Sequence, residues 1–317
     1  MSGIEKYTIN VPDAKLQKLK QKLELADLPE YEIEGAGWKY GVPASETKRL
    51  VSHWLTNYSW RSQEATLNKL PHFKTKIAVD GFGDLGVHFL HQESASGDGR
   101  PAFNVVAPSL PNYCFSDGVR KPGFELKQYA ETCHKLMLKL GYKQYAVQGG
   151  DWGFMIGRAI IHLYPESCKA MHTNWIFASP PAWTAENPEP EYSDREKAAL
   201  ARGQDWWAGD GRGYLAIQGT KPATIAAAHR DPVALLTWIY EKLVGWSDSY
   251  AWTDDEVLTW VSLYYFSDAG PEASSYHYYE ALHGSVITVP VVQSYINIPL
   301  GLADFPVEIS NAPKSWW

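Results

Sequence analysis

The stretch Gly149-Gly150-Asp151-Trp152-Gly153 decides how this chain folds and which chemistry it can support. It follows an apolar strand candidate at 145–147 and leads into a predicted helix at 154–163. A strand, a sharp turn and a helix with the pattern G-x-nucleophile-x-G indicate a nucleophile elbow. We expect the flanking glycines to be required, because side chains there would clash with the adjoining strand and helix. The nucleophile position itself holds Asp151.

An aspartate at this position predicts attack at a carbon atom and an ester intermediate. A carboxylate is ionised near neutral pH, so the first step needs no base to activate the nucleophile. It suits displacement at a strained or halogen-bearing carbon better than attack on an amide carbonyl. Serine-hydrolase chemistry is excluded at this turn, whereas a structural glycine-rich turn with a solvated aspartate stays open on the pentapeptide alone.

Composition narrows the classes of protein. The chain has 317 residues, a net charge of -7 and 14% aromatic residues, and gives no sign of a nucleic-acid or anionic-membrane partner. Its three cysteines, Cys114, Cys133 and Cys168, have no metal or redox spacing, which favours a reducing compartment and a cytoplasmic location. The N-terminal segment lacks the apolar run of a signal peptide or membrane anchor. We expect no cofactor and no metal.

Strand and helix candidates alternate around the elbow, which predicts an α/β fold with a mostly parallel sheet. A helix is expected behind Asp13 as its cap, and helical capping patterns also occur at Ser193, Thr253 and Asp231. Further expected elements are a helix at 46–55, strands at 74–79 and 86–91, a buried parallel strand at 102–107, a helix at 126–140 stopped by Gly141, a strand at 169–172 and renewed alternation at 289–297.

These elements group into four predicted parts. They are an N-terminal helical meander (1–72), the first part of an α/β core with the elbow (73–175), a helical lid (176–285) and the last part of the core (286–317). An insertion of helices after the strand that follows the elbow is where a lid sits in an α/β-hydrolase sheet.

Several segments together resemble the microsomal-type epoxide hydrolase family in its soluble form. They are Trp38-Lys39-Tyr40-Gly41, Tyr58-Ser59-Trp60-Arg61, the run at 67–73, the run at 106–111 and the elbow itself. The resemblance implies the α/β-hydrolase fold, a small-molecule epoxide as substrate and a two-step hydrolysis. In that scheme Asp151 attacks an oxirane carbon to form an alkyl-enzyme ester. Water activated by a histidine–acid pair then releases a vicinal diol.

The resemblance also implies roles for individual residues. Tyr214 and Tyr279 match the two lid tyrosines that donate a proton to the leaving oxygen, and Tyr278 is the nearest rival of Tyr279. Glu308, in Phe305-Pro306-Val307-Glu308-Ile309, matches the acid that orients the histidine. The backbone N–H of Trp152 is expected to stabilise the oxyanion, because this residue directly follows the nucleophile.

Two departures from the family pattern are expected to limit turnover. The H-G-x-P turn that supplies a second oxyanion N–H is not found, and the run at 95–101 leads directly into 102–107. No histidine follows Glu308, and the last of the ten is His283, which we interpret as a packing residue. His277 is a weak candidate for a substitute base. We therefore expect an incomplete core, formation of the ester, and slow hydrolysis of it.

Two other classes of function stay open. One is an inactive relic or binding protein of the same fold. The other is a haloalkane dehalogenase, which the paired tyrosines disfavour because a halide needs N–H donors. A dinucleotide site at Gly149, Gly153 and Gly157 is a weak interpretation, since the Asp151 charge would repel a pyrophosphate.

Overall fold

A computed structural model describes residues 3–94, 102–309 and 311–316. The chain divides into two compact units. The run at 95–101, where the sequence analysis found no H-G-x-P turn, lies outside the described residues. Within the described ranges, no helix is both long and apolar enough to cross a membrane. The four-part division stays a prediction.

The first unit comprises Met1–Lys121, Lys221–Gly245 and Ser249–His277. Its strands are β1 (Ile4–Lys6), β2 (His72–Val79), β3 (Gly83–Gln92) and β4 (Val105–Pro108), and its first helices are α1 (Asp13–Glu24), α2 (Ala44–Thr56) and α3 (Trp60–Leu67). Later in the chain it contains α8 (Pro222–His229), α9 (Pro232–Gly245) and α10 (Asp254–Tyr265). The strands predicted at 74–79 and 86–91, which pair antiparallel as a hairpin, and the helix predicted at 46–55 are confirmed.

The core of the first unit joins the N-terminal helices to α9 and α10. Leu19 and Leu23 of α1 are buried, as their helical spacing predicts, and they belong to one apolar cluster with Leu50, Leu236 and Leu258. The predicted cap needs a correction, because Asp13 is the first residue of α1 and Pro12 precedes it as the N-cap. The Asp231 cap is confirmed, since its carboxylate accepts the N–H groups of residues 233 and 234.

The strand expected at 102–107 needs a second correction. It begins at Val105, pairs antiparallel with β3 and lies at the edge of the four-stranded sheet. Phe103 and Val105 are 67% and 54% exposed, so this strand is neither parallel nor buried. An apolar run shows where a strand forms but does not encode its direction, which depends on the strand beside it.

The second unit comprises Pro122–Thr220, Trp246–Asp248 and Tyr278–Trp317. In order, its main elements are α4 (Leu126–Lys139), β5 (Tyr145–Gln148), α5 (Trp152–Leu163), β6 (Cys168–Thr173), α6 (Asp194–Ala208), α7 (Gly213–Thr220), α11 (His277–Leu282, whose first residue belongs to the other unit), α12 (Val289–Gln293) and β7 (Leu300–Leu302).

A parallel sheet with the order β5-β6-β7 lies at the centre of the second unit. The predicted helix before it is confirmed as α4, and Gly141 ends that helix with a positive φ of 89°. Helix α5 approaches β5 and β6 closely at Gly157, where an added Cβ would lie 3.0–3.1 Å from the side chains of Met171 and Val147. The parallel order expected around the elbow is therefore present here.

The segment 289–297 is not a strand. It begins as the short helix α12, with Pro290 in its first turn. The buried Arg158 of α5 reaches this segment, where its Nε donates to the carbonyl of Val292 at 2.7 Å and its Nη2 donates to the carbonyl of Ser294. A valine-rich run favours a strand locally, but a guanidinium that binds both carbonyls fixes the helical turn instead.

We expect Arg158→Met to lower the free energy of unfolding by about 2 kcal/mol, because two carbonyls lose a charged donor while the apolar stem is retained. Chemical denaturation measures this change. Arg212→Met, at an exposed arginine of the same unit, is the matched control and should leave the unfolding free energy unchanged. Equal stabilities for the two variants would contradict the assigned role of Arg158.

Candidate functional site

Asp151 stands at the sharp turn between β5 and α5 with a backbone that few side chains adopt. Its φ is 49° and its ψ is -127°, a combination outside the allowed regions for a non-glycine residue and one that must be held by its surroundings. The turn directs the carboxylate away from the strand and into the start of the helix. The strand–turn–helix elbow predicted from the sequence is confirmed.

Two glycines before Asp151 make this turn possible, each for a different reason. A Cβ at Gly149 would lie 2.6 Å from the backbone carbon and oxygen of Gly153, and a Cβ at Gly150 would lie 2.2 Å from Asn174 Oδ1. A Cβ at Gly153 would meet nothing within 4 Å. The expectation that both flanking glycines are required is therefore correct for Gly149 and wrong for Gly153.

The Asp151 carboxylate is accessible to solvent but closely surrounded by protein. Desolvation raises its pKa above the ordinary aspartate value, and the negative charge of Glu308 raises it further. The backbone N–H of Trp152, which donates to Asp151 Oδ1 at 2.5 Å, acts in the opposite direction. This N–H is therefore already placed at the oxygen on which charge would develop in an ester intermediate.

Glu308 lies close enough to Asp151 to affect its pKa, and its carboxylate has two described partners. Glu308 Oε2 accepts the amide of Asn174 at 3.1 Å, and Oε1 accepts the backbone N–H of Ile309 at 2.9 Å. Neither partner is a histidine. The structure thus brings the predicted acid to the nucleophile, but within the described residues it holds that acid with an amide and a peptide N–H.

A helix of the predicted lid fixes the segment that carries this acid. Arg202 of α6 donates from Nε to the carbonyl of Glu308 at 3.1 Å and from Nη2 to the carbonyl of Pro306 at 2.8 Å. On the other side, the N–H of Ala303 extends the β6–β7 pairing by donating to the carbonyl of Thr173 at 2.9 Å. The backbone around residue 308 is therefore held at both ends.

Tyr214 of α7 and Tyr278 of α11 form the phenol pair beside the nucleophile. Their ring centroids are 5.8 Å apart, and the ring of Tyr278 lies edge to face with that of Trp152 at 5.0 Å. Burial raises the pKa of Tyr214, the charge of Asp151 raises it further, and a hydrogen bond with Tyr278 partly offsets both effects. The Tyr214 phenol is therefore protonated at neutral pH.

Tyr279 and the two histidines considered in the sequence have contacts of a different kind. The ring of Tyr279 is 38% exposed and stacks on His283 at 4.1 Å, and the Nδ1 of His283 is 2.8 Å from the carbonyl oxygen of Tyr279. His277 is buried in the first unit with its ring 5.9 Å from that of Tyr113, and desolvation lowers its pKa to about 3. The geometry favours Tyr278 over Tyr279 as the second phenol.

Aromatic rings continue from the phenol pair in an unbroken chain of contacts within the second unit. The ring of Trp206 lies 6.2 Å from that of Tyr214, and Trp175 and Phe177 stack at 5.6 Å with nearly parallel planes. The members of this aromatic arc, in contact order, are Phe154, Trp175, Phe177, Trp207, Trp206, Tyr214, Tyr278 and Trp152. The arc begins and ends on helix α5, immediately after Asp151.

The sequence did not predict Asn174 as a residue of the site, and it favoured Tyr279 over Tyr278 as the second phenol. Asn174 directly follows β6, where polar residues of parallel sheets converge on a site, and that position is the one signal that points to it. No group of three or more histidine, cysteine, aspartate or glutamate side chains among the described residues is arranged to hold a metal ion.

Two family models match the chain. The model described as "Epoxide hydrolase N terminus" matches residues 4–105, and the model described as "alpha/beta hydrolase fold" matches residues 81–209. A putative epoxide hydrolase of Stigmatella aurantiaca is 33% identical, with 99% of this chain and 76% of that protein covered. Epoxide hydrolase 1 of Sus scrofa is 28% identical, with 99% and 80% covered.

Solved structures give the same picture. The epoxide hydrolase of Aspergillus niger is 30% identical, has a TM-score of 0.83 and covers 100% of this chain with 87% of its own. The juvenile hormone epoxide hydrolase of the silkworm Bombyx mori is 26% identical, has a TM-score of 0.86 and covers 99% of this chain with 85% of its own.

The two motif glycines should respond oppositely to a methyl group. We expect Gly149→Ala to destabilise the protein by about 2 kcal/mol or more, because the new Cβ meets backbone atoms that cannot rotate away. Gly153→Ala, in the first turn of α5 and in open space, should stay within about 1 kcal/mol of the parent, on the stabilising side. Thermal and denaturant unfolding compare them, and equal losses would contradict the described turn.

Proposed function

Since this chain belongs to the epoxide hydrolase family, we propose that the Asp151 carboxylate opens the oxirane ring of a small-molecule epoxide and becomes alkylated. The observation that carries this proposal is the placement of Asp151 beside the Tyr214–Tyr278 phenol pair, within one compact unit. Opening of an oxirane requires a nucleophile and a proton donor in one site, because the nucleophile attacks a ring carbon while the ring oxygen leaves and takes up a proton.

The first step conserves atoms and charge with three groups, namely Asp151, the epoxide and one phenol. An oxygen of Asp151 forms a bond to an oxirane carbon, and the bond between that carbon and the ring oxygen breaks. The ring oxygen takes the proton of a phenol and becomes a hydroxyl, so the products are a hydroxyalkyl ester on Asp151 and a phenolate. Solvent then returns a proton to the phenolate. General acid catalysis of this kind contributes about 10² to 10⁴-fold.

The charges of the site favour this proton transfer at the moment when Asp151 attacks. Before attack, the negative charge of Asp151 raises the pKa of Tyr214. The attack converts the carboxylate into a neutral ester and moves the negative charge onto the ring oxygen. Tyr214 therefore becomes a stronger acid at the moment when the ring oxygen becomes a stronger base, and the proton moves towards the developing alkoxide.

The second step is hydrolysis of the ester by water, which releases a vicinal diol and restores the carboxylate. The N–H of Trp152 would donate to the oxyanion of the tetrahedral intermediate. Among the described residues Glu308 is bound by Asn174 and Ile309 and not by a histidine. We therefore propose that alkylation is faster than hydrolysis, so that the ester accumulates on Asp151 when epoxide is present.

The aromatic arc supports a preference for epoxides that carry a flat apolar group. Its rings follow Asp151 on helix α5 and return to it through Tyr278, so a substituent of the bound oxirane would lie against ring faces and edges. Aromatic contacts of this kind add about 0.5–1.5 kcal/mol each to the burial of apolar area. An aryl epoxide such as styrene oxide is therefore the probe of choice.

Incubation with styrene oxide should add the mass of one epoxide molecule to the protein, and Asp151→Asn should abolish the addition. Intact-mass spectrometry measures both. The rate of addition should fall as the pH decreases through the Asp151 pKa, and this loss should begin at a higher pH than for an ordinary aspartate, because the raised pKa keeps the nucleophile protonated longer. Asp205→Asn, in α6, is the control.

Modification of the Asp151→Asn variant at the parent rate would contradict the assignment of the nucleophile. Release of chloride from a chloroalkane, with no addition from styrene oxide, would support a haloalkane dehalogenase instead.

Substitutions of Tyr278 and of Tyr279 should have different effects on the rate of alkylation. We expect Tyr278→Phe to slow alkylation by about 10²-fold, since a phenol that acts as an acid or supports Tyr214 is lost. Tyr279→Phe should stay within about twofold of the parent, because that ring stacks on His283. Single-turnover alkylation rates provide the measurement, and a larger loss for Tyr279→Phe would reverse the assignment.

A further inference from the structure

Asn174 contacts both the nucleophile turn and the acid. Its Nδ2 donates to Glu308 Oε2 at 3.1 Å. Its Oδ1 occupies the space beside Gly150, where a Cβ would lie 2.2 Å away. A carboxylate accepts hydrogen bonds and cannot donate them when ionised, so the amide nitrogen must be the atom that faces Glu308. This fixes the orientation of the amide between the turn and the acid.

The backbone of Asn174 is also held on both sides. Thr173, the last residue of β6, donates from Oγ1 to the carbonyl of Trp175 at 2.7 Å and accepts the N–H of Trp175 at 3.1 Å. The carbonyl of Thr173 accepts the N–H of Ala303 from the chain that continues β7. Asn174 therefore projects from a turn whose backbone is hydrogen-bonded on both sides, which fixes the point from which its amide reaches Glu308.

We propose that Asn174 is a positioning residue, which holds the Glu308 carboxylate at a fixed place relative to Asp151 and supports the turn at Gly150. This inference rests on the proposed function, in which Asp151 is the nucleophile. In this role, the amide of Asn174 reduces the repulsion between the carboxylates of Glu308 and Asp151. No periodicity or motif in the sequence marks this residue.

The charged and titratable groups around Asp151 determine how strongly Asn174 can affect the titration of that carboxylate. Asp151 faces the charge of Glu308 and the N–H of Trp152, and its own charge acts on Tyr214. Tyr278, from α11, forms a hydrogen bond with Tyr214.

The acid has a different environment. The guanidinium of Arg202 binds the backbone carbonyl of Glu308 and not its carboxylate. The amide of Asn174 is therefore the one side-chain donor described at this carboxylate.

Loss of the amide should increase the effect of Glu308 on Asp151. A carboxylate whose charge is shared with an N–H donor repels a neighbouring anion less than one that lacks the donor. We expect Asn174→Leu, which keeps the branching and the number of side-chain heavy atoms, to move the titration midpoint of Asp151 upward by about 0.5–1 pH unit. Glu308→Gln should move the midpoint downward, because the negative charge is removed.

The decisive experiment is a double-mutant cycle on the titration of Asp151, followed by ¹³C NMR of aspartate carboxyl carbons, with the signal assigned by its loss in Asp151→Asn. If Asn174 acts through Glu308, Asn174→Leu should shift the midpoint in the parent and leave it unchanged in the Glu308→Gln background. The matched control is Asn297→Leu, at an exposed asparagine of the same unit, which should not shift the midpoint.

Two results would overturn the inference. One is a midpoint that does not move in Asn174→Leu, and the other is a shift of the same size with and without Glu308. If Asn174→Leu does not fold, Asn174→Ala replaces it in the cycle, because this change adds no bulk beside Gly150 and removes the donor without adding a charge. The midpoint should again rise in the parent and stay unchanged in the Glu308→Gln background.

The NMR titration does not depend on reactivity, so the two proposals fail in different ways. A parent protein that never gains the mass of styrene oxide contradicts the proposed function, and the midpoints still decide the role of Asn174. A parent protein that is alkylated, with midpoints that ignore Asn174, contradicts the positioning role alone.

Discussion

The positive φ of Asp151 is the constraint on which the site depends. An aspartate adopts this conformation at a cost of about 1–3 kcal/mol, so neighbouring residues must hold it there. Gly149 provides the space for the backbone of Gly153, and Gly150 provides the space for Asn174. The same turn places the Trp152 N–H on the carboxylate and starts the helix that carries the first rings of the aromatic arc.

The second constraint on the site is its negative charge. Asp151 and Glu308 are two acids in one site, with an amide, two peptide N–H groups and two phenols among their described neighbours. None of these neighbours is a cation, so the repulsion is moderated by donors and not cancelled. A nucleophile in such surroundings gains from losing its charge, which is what ester formation does. The arrangement favours the first step of the reaction over its reversal.

Much of the fold follows from the sequence, and the confirmed α/β-hydrolase fold is its main success. The elbow, α4 and β6 carry strong local patterns, and the structure contains all three. The direction of β4 and the helix at 289–293 depend on partners distant in sequence, β3 and Arg158, which no local pattern reveals. Tyr278 and Tyr279 are adjacent on a helix and point about 100° apart, so only the helix position distinguishes them. The roles of the predicted site residues remain predictions.

The most direct test is to locate the alkyl group after incubation with styrene oxide. Trypsin releases the peptide 144–158, in which Asp151 is the sole carboxylate side chain. Tandem mass spectrometry of this peptide should place the added mass on Asp151, and gentle alkaline hydrolysis should remove it, as for an ester. Added mass on a histidine, cysteine or any other residue, with an unmodified 144–158 peptide, would contradict the account.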